Sequence, residues 1–534
     1  MTRTPDARPR TTHPLWRDTA TPPTAAAAGP LAGTVSSDVV VLGAGIVGLT
    51  TAVELARAGR DVVVLEARHV GAGTTGGSTA KATLVQGSRF SALAAHHGAD
   101  VLARYAEANR AGQDHVRRVA EPTAERPAVP LDVCDGVTYA TTAQGRAALA
   151  DEAQAMAAAG LAPRLADSWV DSHAGPTPDP DDGPDLPFPV TGALRVPGQL
   201  ALHPQAYLHA LLDDAVRAGV RVHEATRAEQ LSATGNPREV GTRSPAGRGV
   251  VRAAHVVVAT GTPVFDRSGF FARLEPQRSL CIAVRVRGER PRGMYLSVDA
   301  PTRSVRRSTA DDDVLVVGGN GFGAGRADDV AARLVDLEAW VRAHWDVVEV
   351  THRWAAQDYA TPDALPFVGR YHPWADDVHV ATGFAKWGVA AGTAAALALA
   401  GRLTGSDLPW ARDWDPWRGD VAAQTPSALS MNAQVARHLA TGWAGALRGS
   451  APDPSTLGEG EGAVGRDGAV PVGVSRVDGQ VRAVRAVCTH LGGVLRWKDA
   501  EASWDCPLHG SRFGADGARL EGPAPCGLAR LDQR

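Results

Sequence analysis

The sequence predicts an α/β chain ending in a small strand-rich domain, and three observations carry that prediction. Residues 38–66, DVVVLGAGIVGLTTAVELARAGRDVVVLE, read as strand, tight glycine turn, helix and second strand. A second α/β portion opens at His203-Pro204, continues through an amphipathic helix to Ala218 and a strand at 220–224, and closes on the strand 256–259 before Thr260 and Gly261. Near the C-terminus, two boxes of cysteine and histidine stand in glycine and proline loops behind strand-like runs. A length of 534 residues accommodates two or three domains.

In chain order, residues 1–37 are rich in Pro, Thr and Ala and read as a flexible or loosely docked arm. They lack the continuous apolar core of a secretory signal, so a cytoplasmic location is expected. In the stretch 38–66 each glycine has a mechanical task. Gly43 makes the turn, Gly45 lets backbone approach a pyrophosphate, and Gly48 lets the helix pack closely on the strand. The phosphate would rest on the helix N-terminus, beside Ala44, where free N–H groups and the helix dipole favour an anion. Glu66, 18 residues beyond Gly48, is suited to hold ribose hydroxyls. Arg68 just behind it leaves a 2′-phosphate open on this motif alone.

The loop GAGTTGGSTAK at 71–81 offers further N–H groups and hydroxyls, and 90–120 is helical in pattern. Between Pro122 and Pro197 the chain turns irregular, with the Pro/Asp run 176–189 expected as an exposed loop. Strands dominate 278–319, and 327–344 is helical. The stretch 319–324 imitates a second nucleotide turn, but Ala324 replaces its third glycine and no strand with a terminal acid follows. Then come WAAQDY at 354–359 and a strand at 378–381 ending in TGFAKWG at 382–388. The apolar run 389–400 is shorter than the ~20 residues of a membrane span and reads as a buried helix. A Pro/Trp connector at 407–417, a helix at 432–447 and a linker at 449–454 complete the approach to the last domain. The formal charge of −3, with no basic run interleaved with aromatics, gives no reason to expect nucleic acid.

The two boxes are Cys488-Thr-His490-Leu-Gly-Gly and Cys506-Pro-Leu-His509-Gly-Ser. Two thiolates and two imidazoles constitute a zinc set as well as an iron–sulfur set. The loops around them resemble the Rieske family, which holds a [2Fe–2S] cluster with two Cys on one iron and two His on the other. In some members an extra cysteine pair clamps the loops; the matching positions here are Gly493 and Leu508. Ser511 is placed to hydrogen-bond a cluster sulfur. Five cysteines do not make a disulfide scaffold; Cys526 reads as packing, and Cys134 and Cys281 as buried structural residues.

With GAGIVG, GTTGGSTAK, ATG at 259–261, WAAQDY, ATGFAKWG and the two boxes on the page, the chain over 36–534 resembles the FAD-dependent oxidoreductases of the D-amino-acid/glycine/sarcosine oxidase (DAO) superfamily that carry a C-terminal Rieske domain. The resemblance implies an α/β Rossmann-like FAD-binding domain (about 38–90, 196–262 and 355–405), an interleaved α+β substrate domain (about 91–195 and 263–354), a helical connector at 406–454 and a small all-β Rieske domain at 455–534. It implies noncovalent FAD, since no cysteine stands in the late segments, with Thr74, Thr75, Gly261, Gly383 and Gly388 near the flavin. Substrate carboxylates in the superfamily meet Arg or Lys; Lys386 and Trp387 are the best placed candidates, ahead of Arg303, Arg306 and Arg307.

The expected activity is that of a dehydrogenase oxidising an amine or amino acid, passing electrons from flavin to the cluster and on to a one-electron acceptor protein or quinone. Competing readings are an O2-reducing amine oxidase with a structural or regulatory cluster, and an electron-transfer module for a partner protein.

Overall fold

The computed structural model describes residues 9–167, 185–265, 267–418 and 421–531, and for 167 and 421–428 the backbone alone. The run 39–42 is Val-Val-Val-Leu with every side chain at or below 1 % exposure, because the strand is covered on both faces. That strand, Gly33–Leu42, sits inside an eight-stranded sheet. It pairs in parallel with Val62–Leu65 on one side and Gly247–Val258 on the other. Arg221–His223 and Ala375–Thr382 extend the parallel run, and Phe367–His372 closes one edge antiparallel. Helices Ile46–Arg57, Ala99–Ala120, Pro204–Arg217 and the apolar Ala390–Thr404 pack together in one core on this sheet.

A nine-stranded, mostly antiparallel sheet forms the second layer, ordered Asp346–Ala360, Glu275–Arg287, Val314–Gly323, Arg303–Arg307, Met294–Ser297, Leu131–Ala140, Gly192–Leu202 and Lys81–Ala82, with Arg164–Asp167 beside Gly192–Leu202. Its boundaries differ from the expected segments. Residues 196–202 and 355–360 belong to this sheet, because each continues a strand whose other half is already paired there. Residues 319–323, expected as a turn, continue the strand Val314–Gly323, ahead of the helix Val330–His344.

The expected loose arm is docked from residue 9 onward. Trp16, in the short helix Leu15–Thr19, is fully buried and donates its indole N–H to the Ser78 carbonyl at 2.8 Å. The Thr12 N–H donates to Arg353 O, and the Thr11 N–H to Ala500 O of the C-terminal domain, both at 2.6 Å. A large apolar ring in a short Pro-rich segment is the physical reason the arm does not float. The Pro/Asp run lies outside the described residues through 184, and its end is not a free loop: Phe188 packs edge-on against Trp340, His344 and Trp345.

The connector holds the helix Val421–Arg448, whose Asn432 donates to Ala272 O at 2.9 Å and whose Trp443 donates to Gly492 O at 2.9 Å. The C-terminal domain is a three-stranded sheet (Gly462–Asp467, Val470–Val477, Gln480–Arg485) and a four-stranded one (Arg496–Lys498, Ser503–Asp505, Arg512–Gly514, Arg519–Glu521), packed around Trp504 and Phe513. Among the described residues no helix is long and apolar enough to cross a membrane.

Candidate active site and iron–sulfur site

The first turn is built by steric necessity. Gly43 adopts φ 101°, and a Cβ there would lie 2.6 Å from the Ala259 carbonyl oxygen. A Cβ on Gly48 would lie 1.9 Å from the Gly43 oxygen, so only glycine lets helix and turn approach. Glu66 fastens the turn by accepting the Ala44 N–H at 3.0 Å and the Arg68 N–H at 2.8 Å. The Ile46 N–H donates to the Thr75 hydroxyl at 3.3 Å, and the Thr74 hydroxyl donates to Gln357 O at 2.6 Å, so the second glycine loop is tied to both sheets.

A cavity of about 500 Å3 opens beside this turn. Gly43, Gly45, Glu66, Arg68, Thr74, Thr75, Gly261, Lys386, Trp387 and Gly388 all lie on its wall. Ala44, Gly48 and Gly383 do not: Ala44 and Gly48 serve the turn from behind, and Gly383, at φ 82°, faces the Thr361 methyl, which would lie 2.4 Å from a Cβ. The cavity suits a dinucleotide cofactor, for Gly45 and Ile46 at the helix start line it and no side chain caps that helix.

The late turn carries strain. Ala385 and Lys386 have φ 49° and 79°, left-handed values rarely adopted by side-chain-bearing residues and costing on the order of 1–3 kcal/mol each. Asp358 holds the turn by accepting the Lys386 N–H and, at 2.7 Å, the Tyr359 N–H. Burial pushes the Asp358 carboxyl pKa up and the Lys386 ammonium pKa down, and their mutual attraction opposes both shifts. Of the arginines considered for substrate, Arg306 is buried and spends its N–H groups on the carbonyls of Thr79, Leu202 and Arg307. Arg303 pairs with Asp336 at 2.7 Å, and Arg303, Arg306 and Arg307 are all off the cavity wall.

Each metal box is a closed loop. The Cys488 N–H donates to Gly493 O at 2.8 Å, and the Gly510 N–H to Cys506 O at 3.1 Å. Cys488 and Cys506 are buried and hydrogen-bonded to each other, and the His490 and His509 rings lie 5.1 Å apart. The hydrogen bond from the Cys506 thiol draws the Cys488 pKa down, with help from the backbone N–H groups of the loop and the Ser511 hydroxyl. Both ring nitrogens of His509 are buried and, among the described residues, have no hydrogen-bond partner. Sulfur thus pairs with sulfur and imidazole with imidazole, the segregation that a two-iron cluster with unlike ends requires. Leu508 fills the clamp position: a Cβ on Gly493 would lie 2.6 Å from Leu508 Cδ1. Cys526 is exposed and Cys134 half-buried, so neither is the packed residue expected, whereas Cys281 is buried on the cavity wall.

The two Cys/His loops are seated on the larger N-terminal portion of the chain. Gln357 Nε2 donates to Gly510 O at 2.8 Å and to the Tyr359 hydroxyl at 2.8 Å. Phe271 stands edge-on to both His490 and His509 at 5.0 Å. Arg326 donates to Pro507 O at 3.2 Å, and a Cβ on Gly325 would lie 2.5 Å from the Cys506 carbonyl carbon. Buried Arg278 pairs with Glu501, and Arg512 joins the same carboxylate at 2.9 Å. Leu520, Glu521 and Gly522 of the C-terminal domain form part of the wall of the main cavity. WAAQDY marked Gln357 and Tyr359 in the sequence without revealing this bridge, and nothing there marked Phe271 or Arg278.

Fold and site together define a two-centre redox enzyme, with a flavin-type dinucleotide cavity and an iron–sulfur fingertip pair in contact. Residues 38–402 match the FAD dependent oxidoreductase family and residues 451–531 the Rieske [2Fe-2S] domain family. The chain belongs to the FAD-dependent oxidoreductase family and carries a C-terminal Rieske domain; it is an oxidoreductase that uses FAD and a [2Fe–2S] cluster. It is 30% identical over 506 residues to the Rieske 2Fe-2S iron-sulfur protein YhfW of Bacillus subtilis, covering 93% of each chain. Among solved structures it resembles glycine oxidase from Geobacillus kaustophilus (TM-score 0.55, 17% identity, 72% of this chain and 99% of that one). It also resembles L-proline dehydrogenase from P. horikoshii (TM-score 0.54, 18% identity, 72% and 97%). At such identities the likeness is one of fold.

Proposed function

We propose that this protein is a cytoplasmic FAD-dependent dehydrogenase that oxidises an amine or amino acid and passes the electrons through its own Rieske cluster to a one-electron acceptor protein or quinone. Bound FAD supplies two-electron oxidation of a substrate C–H bond, and the cluster supplies one-electron transfer. The observation carrying the reading is the contact between the two sites. A single buried amide, Gln357, bonds both Tyr359 of the cavity wall and Gly510 beside the cluster ligand His509. A fingertip serving only as a structural module has no need to lie against that wall.

The chain's residues divide the work. Gly45, Thr74 and Thr75 would receive the pyrophosphate side of FAD, and Glu66 its ribose. Cys488, His490, Cys506 and His509 would hold the cluster. Lys386, fixed by Asp358, offers a cation to a substrate carboxylate, and Trp387 lies beside it on the wall. Glycine oxidase and L-proline dehydrogenase, as named, act on amino acids, which supports the substrate class through the shared fold. None of the five cysteines is in a disulfide, in keeping with a reducing compartment.

The test is anaerobic titration of the loaded protein with amino acids and secondary amines, following flavin absorbance and cluster EPR. Flavin bleaching followed by the reduced-cluster signal supports the reading. Bleaching with a cluster that stays oxidised points to a direct oxidase, and no bleaching by any amine removes the substrate class.

A further inference from the structure

The wall of the main cavity carries two lysines, Lys81 and Lys386. Lys81, from GTTGGSTAK, lies on its wall, and among the described residues its ammonium has one hydrogen-bond partner, the hydroxyl of Ser304. Lys386 lies on the wall of the same cavity and also of an adjoining hollow of about 430 Å3, which shares Gln277 and Thr302 with it. Lys386 therefore stands at the junction of the two spaces, while Lys81 belongs to the main cavity alone. Cys281 lies on the same wall; burial pushes its thiol up to about 12, and both ammonium groups pull against that shift.

No carboxylate on the wall is free to neutralise Lys81. Glu66 is occupied by the Ala44 and Arg68 N–H groups. Asp358 is occupied by the Lys386 and Tyr359 N–H groups. Glu521 faces Arg278 at 3.7 Å and Arg512 at 3.6 Å. A buried cation without a counter-charge is costly, and burial accordingly pulls the Lys81 ammonium down to about 7. Lys386 has Asp358 acting on it, whereas no carboxylate among the described residues acts on Lys81, and a second carboxylate on a ligand would supply one there.

We propose that the cavity takes a dianionic substrate, an amino acid bearing a second carboxylate, with one carboxylate at Lys386 and the other at Lys81. This rests on the amine-dehydrogenase reading of the same site and names its substrate class. Lysine, a compact point charge, suits such end-on recognition.

The test uses FAD-loaded protein and inert ligands, so that it does not depend on turnover. Glutarate and butyrate are titrated separately, and Kd is read from the perturbation of the flavin absorbance. Glutarate is expected to bind about tenfold or more tighter than butyrate, as a charged hydrogen bond to a second lysine implies. Lys81→Met is expected to abolish the difference by weakening glutarate alone, and Lys81→Arg, which keeps the cation should Lys81→Met fold poorly, to retain it. Equal affinities in the unmodified protein, or a preference that survives Lys81→Met, overturn the proposal. A parallel anaerobic titration with N-carboxyalkyl amino acids and monocarboxylic amines separates the two readings. Tight glutarate binding without bleaching by any amine defeats the amine reading alone. Bleaching by monocarboxylic amines with no glutarate preference defeats the dianion proposal alone.

Discussion

Gln357 donates its side-chain amide to the carbonyl oxygen of Gly510 at 2.8 Å, a bond between residues 153 positions apart that joins the flavin cavity to a cluster loop. Replacing it by leucine of similar size removes the donor and leaves a buried carbonyl unsatisfied, at a cost of about 1–3 kcal/mol. In Gln357→Leu, stopped-flow mixing with a reducing substrate is expected to show flavin reduction at nearly the original rate. Cluster reduction is expected to slow by about tenfold to a hundredfold, because the fingertip is no longer fixed.

Arg278 and Glu501, 1 % and 4 % exposed at the side chain, form the buried ion pair of the same interface. Arg278→Met is expected to destabilise the docked state by about 3–5 kcal/mol, since Glu501 then stays buried with less compensation. The pH dependence follows from the carboxylate. Arg278 and Arg512 hold the Glu501 pKa below its ordinary value against the burial that raises it. Its contribution is thus fully present above the unfolded-state value of about 4.3 and is lost as pH falls through the lower folded value. Denaturant midpoints measured from pH 7 downward should hold level to about pH 5 and then fall, and Glu501→Gln should flatten that fall.

Trp16 anchors the N-terminal segment against the loop that carries Thr74 and Thr75, through Ser78 O at 2.8 Å and beneath the Arg306 guanidinium at 5.1 Å. Trp16→Ala is expected to cost about 3–5 kcal/mol in urea denaturation. It should also weaken FAD retention on dialysis, whereas an arm with no structural task would change neither.

Cys506→Ser removes one thiolate of the cluster set. Iron content and the Rieske EPR signal are expected to vanish while flavin absorbance persists, because Gly45, Thr74, Thr75 and Glu66 all lie in the other portion of the chain. Loss of flavin together with iron would mean that the wall made by 520–522 is needed to keep FAD bound.

Legibility in the sequence followed the range of the interaction. The glycine turn at 43–48 and both Cys/His boxes were readable because each is a local backbone conformation with a fixed spacing. The extent of the second sheet was not, because whether 355–360 pairs with 275–280 depends on partners about 80 residues away. The firm docking of the arm from residue 9 lay beyond the sequence for a related reason: composition registers many prolines and alanines, but not that one tryptophan is buried beside Ser78.

The sequence by itself determined the two cofactors, FAD and a [2Fe–2S] cluster, through a glycine turn and two Cys/His boxes, since steric limits and donor chemistry act within short stretches. Only the tertiary structure decided that the Cys/His loops and their domain pack against the rest of the chain, through Gln357, Phe271 and the Arg278–Glu501 pair, and that Lys81 and Lys386 share one cavity. Those pairings join strands and loops from distant parts of the chain, where no periodicity or spacing rule links one residue to its partner.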